Sequence, residues 1–139
     1  MSQGPEARLW NSVRLSKPTE ILATRIENRH GGGVPDCHFV WKGMPFWVEL
    51  KVTKISQVIV SPHQVAWHTS YWARGGLSFF LVKSPVQGHL TLICGKNAID
   101  LAQKPLSEVQ GSSFTDHASL WDGIYATVCG HYREVVEKL

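Results

Sequence analysis

The chain has 139 residues, 43% apolar and 18% charged, with six Trp and a formal net charge of +3. A length like this makes one domain with a real core. No apolar run reaches the roughly 18 residues that span a bilayer, and the opening MSQGPEARLW has no apolar signal region, so the expectation is a soluble, cytoplasmic protein (in the host cytoplasm if the chain is viral).

A pI near 8.9 permits nucleic acid as a partner without demanding it. Cys37, Cys94 and Cys129 are odd in number and lack C-x-x-C spacing. They argue against a disulfide framework and against a Cys zinc site. Arg8, Arg14, Lys17, Arg25, Arg29, Lys42, Lys51 and Lys54 all fall in the first 54 residues, which suggests a positive face there.

Residues 5–15 carry Leu9, Trp10 and Val13 at helical spacing. Pro18 interrupts, and EILATRIEN reads as a strand. HGGGVPD is a turn, because three glycines relax the backbone. CHFVW and PFWVELKV read as strands joined at Lys42-Gly43. Ser61, Pro62 and Gln64 form a helix start with a capping box, predicting a helix from about Pro62 to Arg74 that stops at Gly75-Gly76. LSFFLVKS and HLTLICG are two further buried strands, NAIDLAQ is a short helix, and SLWDGIYATVCGHYREVVEKL is a C-terminal helix despite Gly123 and Gly130. The order predicts an α/β or α+β sandwich with one mixed sheet.

Charge inside the strand PFWVELKV is the anomaly. Alternation puts Trp47, Glu49 and Lys51 on one face, and Phe46, Val48, Leu50 and Val52 on the other, toward a core. Asp36 begins the neighbouring strand on the Glu49 side. Two carboxylates with a Lys beside them suit Mg²⁺, which takes oxygen ligands and needs only one or two protein carboxylates. The Leu50 carbonyl is a further candidate oxygen. Lys51 would orient a nucleophile or stabilise developing charge. The competing reading is a solvated Glu49–Lys51 ion pair on an exposed sheet face.

His63 and His68 are five apart, which is not i, i+4 ligand spacing, so no zinc site is expected. Gly31 to Gly33 are no Walker loop, since no G-K-[ST] follows. Trp67, Tyr71 and Trp72 read as core or dimer interface.

The ordered set GGGVPD, FWVELKVTK and SPHQVAWHTSYWARGG resembles the PD-(D/E)xK nuclease superfamily, and within it archaeal-type and phage Holliday junction resolvases and VRR-NUC nucleases. Pro35-Asp36 and Glu49-Leu50-Lys51 match its motif. Ser61, Gln64, Gly75-Gly76 and LSFFLV follow in the family's order. The resemblance spans about residues 5–83, with 84–139 left as sheet completion and C-terminal helix. It implies a single nuclease domain with a restriction-endonuclease-like mixed β-sheet flanked by helices. It also implies a Mg²⁺-dependent endodeoxyribonuclease, structure-specific on branched DNA, with Mn²⁺ able to substitute.

In such a site Asp36, Glu49, Lys51 and Gln64 are the catalytic candidates, and Asp36, Glu49 and the Leu50 carbonyl the metal candidates. An acid on the first helix completes the family's site. Glu6 is the choice here, as a metal ligand, with Glu20 and Glu27 as alternatives; the competing reading of Glu6 is an acid that only complements the dipole at a helix N-terminus. Arg25, Arg29, His30, Lys54 and Ser61 flank the glycine turn and the loop after the catalytic strand, as candidates to grip DNA phosphates. Gln64 is a phosphate or water ligand, or simply the cap. A symmetric cut on two strands implies a homodimer. A non-catalytic nucleic-acid-binding module on a nuclease fold, or a nuclease of this fold acting on unbranched DNA, are the other functional readings.

Overall fold

The computed structural model describes residues 4–26, 32–84 and 89–139. Helix α1 (Pro5–Ser16) precedes strands β1 (Leu22–Arg25), β2 (Cys37–Trp41) and β3 (Met44–Val52). Helix α2 (Pro62–Ala73) leads to β4 (Ser78–Ser84) and β5 (His89–Cys94). Helix α3 (Ala98–Gln103), β6 (Ser112–Phe114) and α4 (His117–Glu137) complete the chain. The six strands form one sheet in the order β1-β2-β3-β4-β5-β6. Only β3 and β4 run parallel, so α2 is the crossover between them; β1–β2, β2–β3, β4–β5 and β5–β6 are antiparallel.

The sheet separates two apolar layers. On one face Phe39, Phe46, Val48, Leu50, Phe79 and Leu81 meet Leu9, Trp10 and Val13 of α1, and Leu120, Trp121, Ile124 and Val128 of α4. On the other face Phe80, Val82 and Ile93 pack with Val58, Ala98 and Leu101. Helix α4 thus supplies half of the larger core's cover. Its Gly123 sits where an added Cβ would come within 2.4 Å of the Phe114 ring, so this mid-helix glycine is a packing contact rather than a helix break.

Two elements run differently from the sequence expectation. Strand β6 and a 3-10 turn at Leu106–Glu108 are too short for periodicity to reveal. Among the described residues, the early basic side chains do not all gather on one face. Lys17 closes α1 and donates to the Ile21 carbonyl at 2.8 Å, while Lys42 lies at the β2–β3 turn and donates to the Tyr125 hydroxyl at 3.3 Å. Helix α1 runs roughly 15 Å from Glu6 to its far end, which carries Arg14 and Lys17 away from the glycine turn. No described helix is long and apolar enough to cross a membrane.

Candidate active site

The β2–β3 register ends at Cys37 opposite Val48. Extending it by one pair sets Asp36 across from Glu49. There Asp36 Oδ2 accepts the Leu50 backbone N–H at 3.0 Å, replacing the ladder bond that β2 no longer supplies. A strand residue's N–H and C=O project to the same edge. The Leu50 carbonyl therefore lies on the Asp36 side, although the Leu50 side chain is in the core.

Glu49 is not on a solvated face. It is 5% exposed, and Oε2 accepts from Gln64 Nε2 at 3.1 Å. Oε1 is buried with no hydrogen-bond partner. Burial first, and the neighbouring Asp36 second, push the Glu49 carboxyl well above its ordinary value, while Lys51 opposes the shift. A buried anion beside a like charge is costly, so this carboxylate is waiting for a cation or a proton. Lys51 stands 3.9 Å from Glu49 Oε2 and donates to Gln64 Oε1 at 2.9 Å. The exposed ion pair considered from sequence is corrected by the α2 helix, which covers this stretch of β3.

Gln64 fills the capping role read for it and does more besides. Its Oε1 accepts from the Ser61 backbone N–H at 3.0 Å, and its own N–H is capped by Ser61 Oγ at 3.1 Å. The same side chain then bridges Lys51 and Glu49. The capping box therefore occupies two of the N–H groups at the α2 start, and Pro62 has none. Only the His63 N–H is left in the first turn, so α2 offers less to a phosphate than an open helix N-terminus does.

A cleft of about 190 Å³ opens here, lined by Gly33, Asp36, Glu49, Ser61, His63 and Gln64 among others. Gly33 has φ +77, and an added Cβ would lie 2.1 Å from the His63 carbonyl oxygen. Only glycine lets the turn close against α2.

Glu6, exposed at the start of α1, lies within the field of this group. Partial burial and then Asp36 raise its carboxyl, and Lys51 and Arg25 oppose them. Glu20 is elsewhere. Its Oε1 accepts the Trp41 indole N–H at 2.8 Å, at the end of β2 remote from Cys37. Glu27, Arg29 and His30 lie outside the described residues. Arg25 and Lys54 are exposed at the ends of β1 and β3.

From sequence, His68 stands out only as a residue whose spacing to His63 excludes a zinc site. It is fully buried, with Nδ1 2.7 Å from Ser78 Oγ. The signal was present: His68 is four residues after Gln64, on the same helix face.

Among the described residues no group of three His, Cys, Asp or Glu side chains is placed to hold a metal ion. The donors that converge are two carboxylates, Asp36 and Glu49, and the Leu50 carbonyl edge.

No family model and no curated protein sequence matches the chain. Among solved structures, a VRR_NUC domain aligns at 25% identity and TM-score 0.47, over 59% of this chain and 87% of that one. Archaeoglobus fulgidus Hjc, a Holliday junction resolvase from an archaeal hyperthermophile, aligns at 15% identity and TM-score 0.50, over 66% of this chain and 74% of that one. The likeness to the archaeal resolvase shows the fold: the chain has its α/β restriction-endonuclease-like fold.

Proposed function

We propose that the protein is a Mg²⁺-dependent endodeoxyribonuclease of Holliday-junction-resolvase type. One observation carries the reading: Glu49 is buried and crowded by Asp36, the two carboxyls within hydrogen-bonding reach of each other and no donor on Glu49 Oε1, at the mouth of a cleft beside a Lys. A structural ion pair has no use for an orphaned oxygen. The donor set is hard and all oxygen, which fits Mg²⁺ or Mn²⁺ and not zinc. Two carboxylates suffice for Mg²⁺, so the lack of a three-residue cluster does not conflict with it.

Asp36, Glu49 and the Leu50 carbonyl would hold the cation. When bound it polarises the phosphoryl oxygen and makes an attacking water more acidic. The chain's own residues do the rest. Asp36 stays fixed by its bond from Leu50 N–H. Gln64 holds Glu49 Oε2 and Lys51 Nζ in one frame. Lys51 places its charge where negative charge develops on the phosphate. Glu6, in the field of Asp36 and Lys51, is the third acid. Arg25 and Lys54 carry the backbone of DNA past the cleft.

The sheet face that α2 leaves open supports a homodimer. Leu22, 66% exposed, lies on it with Val40, Trp47 and, from α2, Trp67. A C2 pair would bury these rings and present two clefts. Sedimentation of the free protein should show a dimer.

The functional test compares four-way junction, Y-fork, nicked, duplex and single-stranded DNA with and without Mg²⁺. Cleavage should need the metal and favour the junction. Asp36→Asn, Glu49→Gln and Lys51→Ala should each lose about a hundredfold or more while still binding DNA. Normal turnover in any one folded variant would remove that residue from the site, and cleavage of plain duplex as fast as junction would point to the unbranched-DNA reading.

A further inference from the structure

His68 is a buried polar group that the site described above does not use. Its ring is fully buried, yet Nε2 has no hydrogen-bond partner. Burial, and then the charge of Lys51, hold it neutral, with its pKa lowered to about 4. Packing alone does not explain the choice. A Phe would fill the space without an orphaned nitrogen.

The strand register shows where that nitrogen points. In the parallel pairing Trp47 is opposite Ser78, Glu49 opposite Phe80 and Lys51 opposite Val82. All six lie on the α2 face. The His68 ring sits over Phe80, with centroids 4.1 Å apart. Its Nδ1 is tied to Ser78 Oγ at 2.7 Å, at the Trp47 level. The two nitrogens of an imidazole diverge widely. A ring anchored at Ser78 and lying over Phe80 therefore directs Nε2 along the strands, toward the level of Val82 and Lys51.

Lys51 has donors to spare. An ammonium carries three. Gln64 Oε1 takes one at 2.9 Å, and Glu49 Oε2 at 3.9 Å is an ion-pair contact rather than a hydrogen bond.

We propose that His68 is a positioning residue for Lys51: Ser78 Oγ accepts from Nδ1–H and fixes the tautomer, and the Nε2 lone pair, unpartnered in the metal-free structure, becomes a second acceptor for the Lys51 ammonium beside Gln64 once a cation draws Glu49 away from it. This rests on the reading of Lys51 as the charge-stabilising group. The need for it is physical. A lysine is a flexible stem with a compact charge. Once a cation engages Glu49, one bond to Gln64 would leave the ammonium free to swing. Gln64 and His68, one helical turn apart, together hold it from the α2 side. Gly95 lets this wall close, since a Cβ there would lie 2.1 Å from Ser78 Oγ and 2.7 Å from His68 Nδ1.

The test uses His68→Gln, which keeps an acceptor near the Nε2 position, and His68→Phe, which keeps the ring and its stacking. Positioning predicts that Phe lowers kcat on a junction by about tenfold or more, with KM and DNA affinity unchanged, and that Gln restores most of it. Space-filling predicts the reverse order, with Phe the better substitute. A second readout needs no substrate. In the substrate-free protein with Mg²⁺ added and carrying ¹⁵N-lysine, the Lys51 ammonium should give a resolved, slowly exchanging NMR signal. It should vanish in His68→Phe and persist in His68→Gln. A signal retained in His68→Phe, or Phe outperforming Gln in kcat, overturns the proposal. Should the parent protein cleave nothing, the nuclease reading falls and the ammonium signal still decides this one.

Discussion

Glu6 and Glu20 are both acids near the N-terminus, and their surroundings separate them. Glu6 shares a field with Asp36 and Lys51, whereas Glu20 is held by the Trp41 indole. Glu6→Gln should therefore lower cleavage by about a hundredfold, the scale of a positioned catalytic group, with little change in melting temperature. Glu20→Gln should leave turnover intact. Full activity of Glu6→Gln, in cleavage assays on the same junction, would transfer the role to another acid.

Glu49 also makes a prediction about stability. Its carboxyl is raised in the folded chain, so over the window between the ordinary and raised values the folded state keeps a proton that the unfolded chain has lost. Stability therefore falls as pH rises through that window. Without divalent metal, Glu49→Gln should melt several degrees above the parent at about pH 8, and the gap should close toward about pH 4, near the ordinary carboxylate value. An equal gap at both ends in thermal melts would mean that Glu49 carries no burial penalty.

At the level of elements, the site is a meeting of three ends. Strand β2 begins where β3 still continues, so Asp36 caps a backbone group that the ladder abandons. Helix α2 starts over the same point and delivers Gln64. The glycine turn closes from the third side, at Gly33. Gly33→Ala meets both a left-handed φ and the His63 carbonyl at 2.1 Å, so the turn and the α2 start must separate. The expected result is a protein with nearly the parent's far-UV spectrum and cleavage reduced by about tenfold or more, the scale of a modest misplacement of reacting groups. Parent-like activity would show that the turn does not shape the cleft. The capping box that holds Gln64 was legible in S-x-x-Q. Its second use, as the frame for Glu49 and Lys51, needed the register of β3 beneath α2.

For the whole molecule, the mild net charge makes binding a local matter. The basic residues spread over both ends of the sheet, and the α2 N-terminus is largely occupied by its own cap. Affinity then rests on a few cations beside the cleft. In a Glu49→Gln background, Arg25→Ala and Lys54→Ala should each weaken binding to all sequences and reduce the slope of log K against log salt by about 0.9, one phosphate's share of released counterion. Titrations at several salt concentrations on a junction are the check. Unchanged affinity and slope in both variants would place the DNA on another surface, with the exposed side of α4 the first alternative.

The sequence by itself determined the longer elements and the motif order. Period-two alternation marked β2 and β3 to within a residue, the capping box marked α2, and Pro35-Asp36 with Glu49-Leu50-Lys51 stood out because charge in a buried strand needs a reason. These are local signals, written in residues a few positions apart. Tertiary structure alone decided the rest. It decided that Glu49 is buried rather than solvated, because α2 crosses over β3. It took Glu20 away from the site, because β2 carries Trp41 to the sheet's other end. It scattered some of the early basic residues, because α1 points away from the cleft. It joined His68 to Ser78, because the parallel β3–β4 register puts Ser78 and Phe80 beneath α2. Each of these depends on which element lies against which, and no spacing along the chain specifies that.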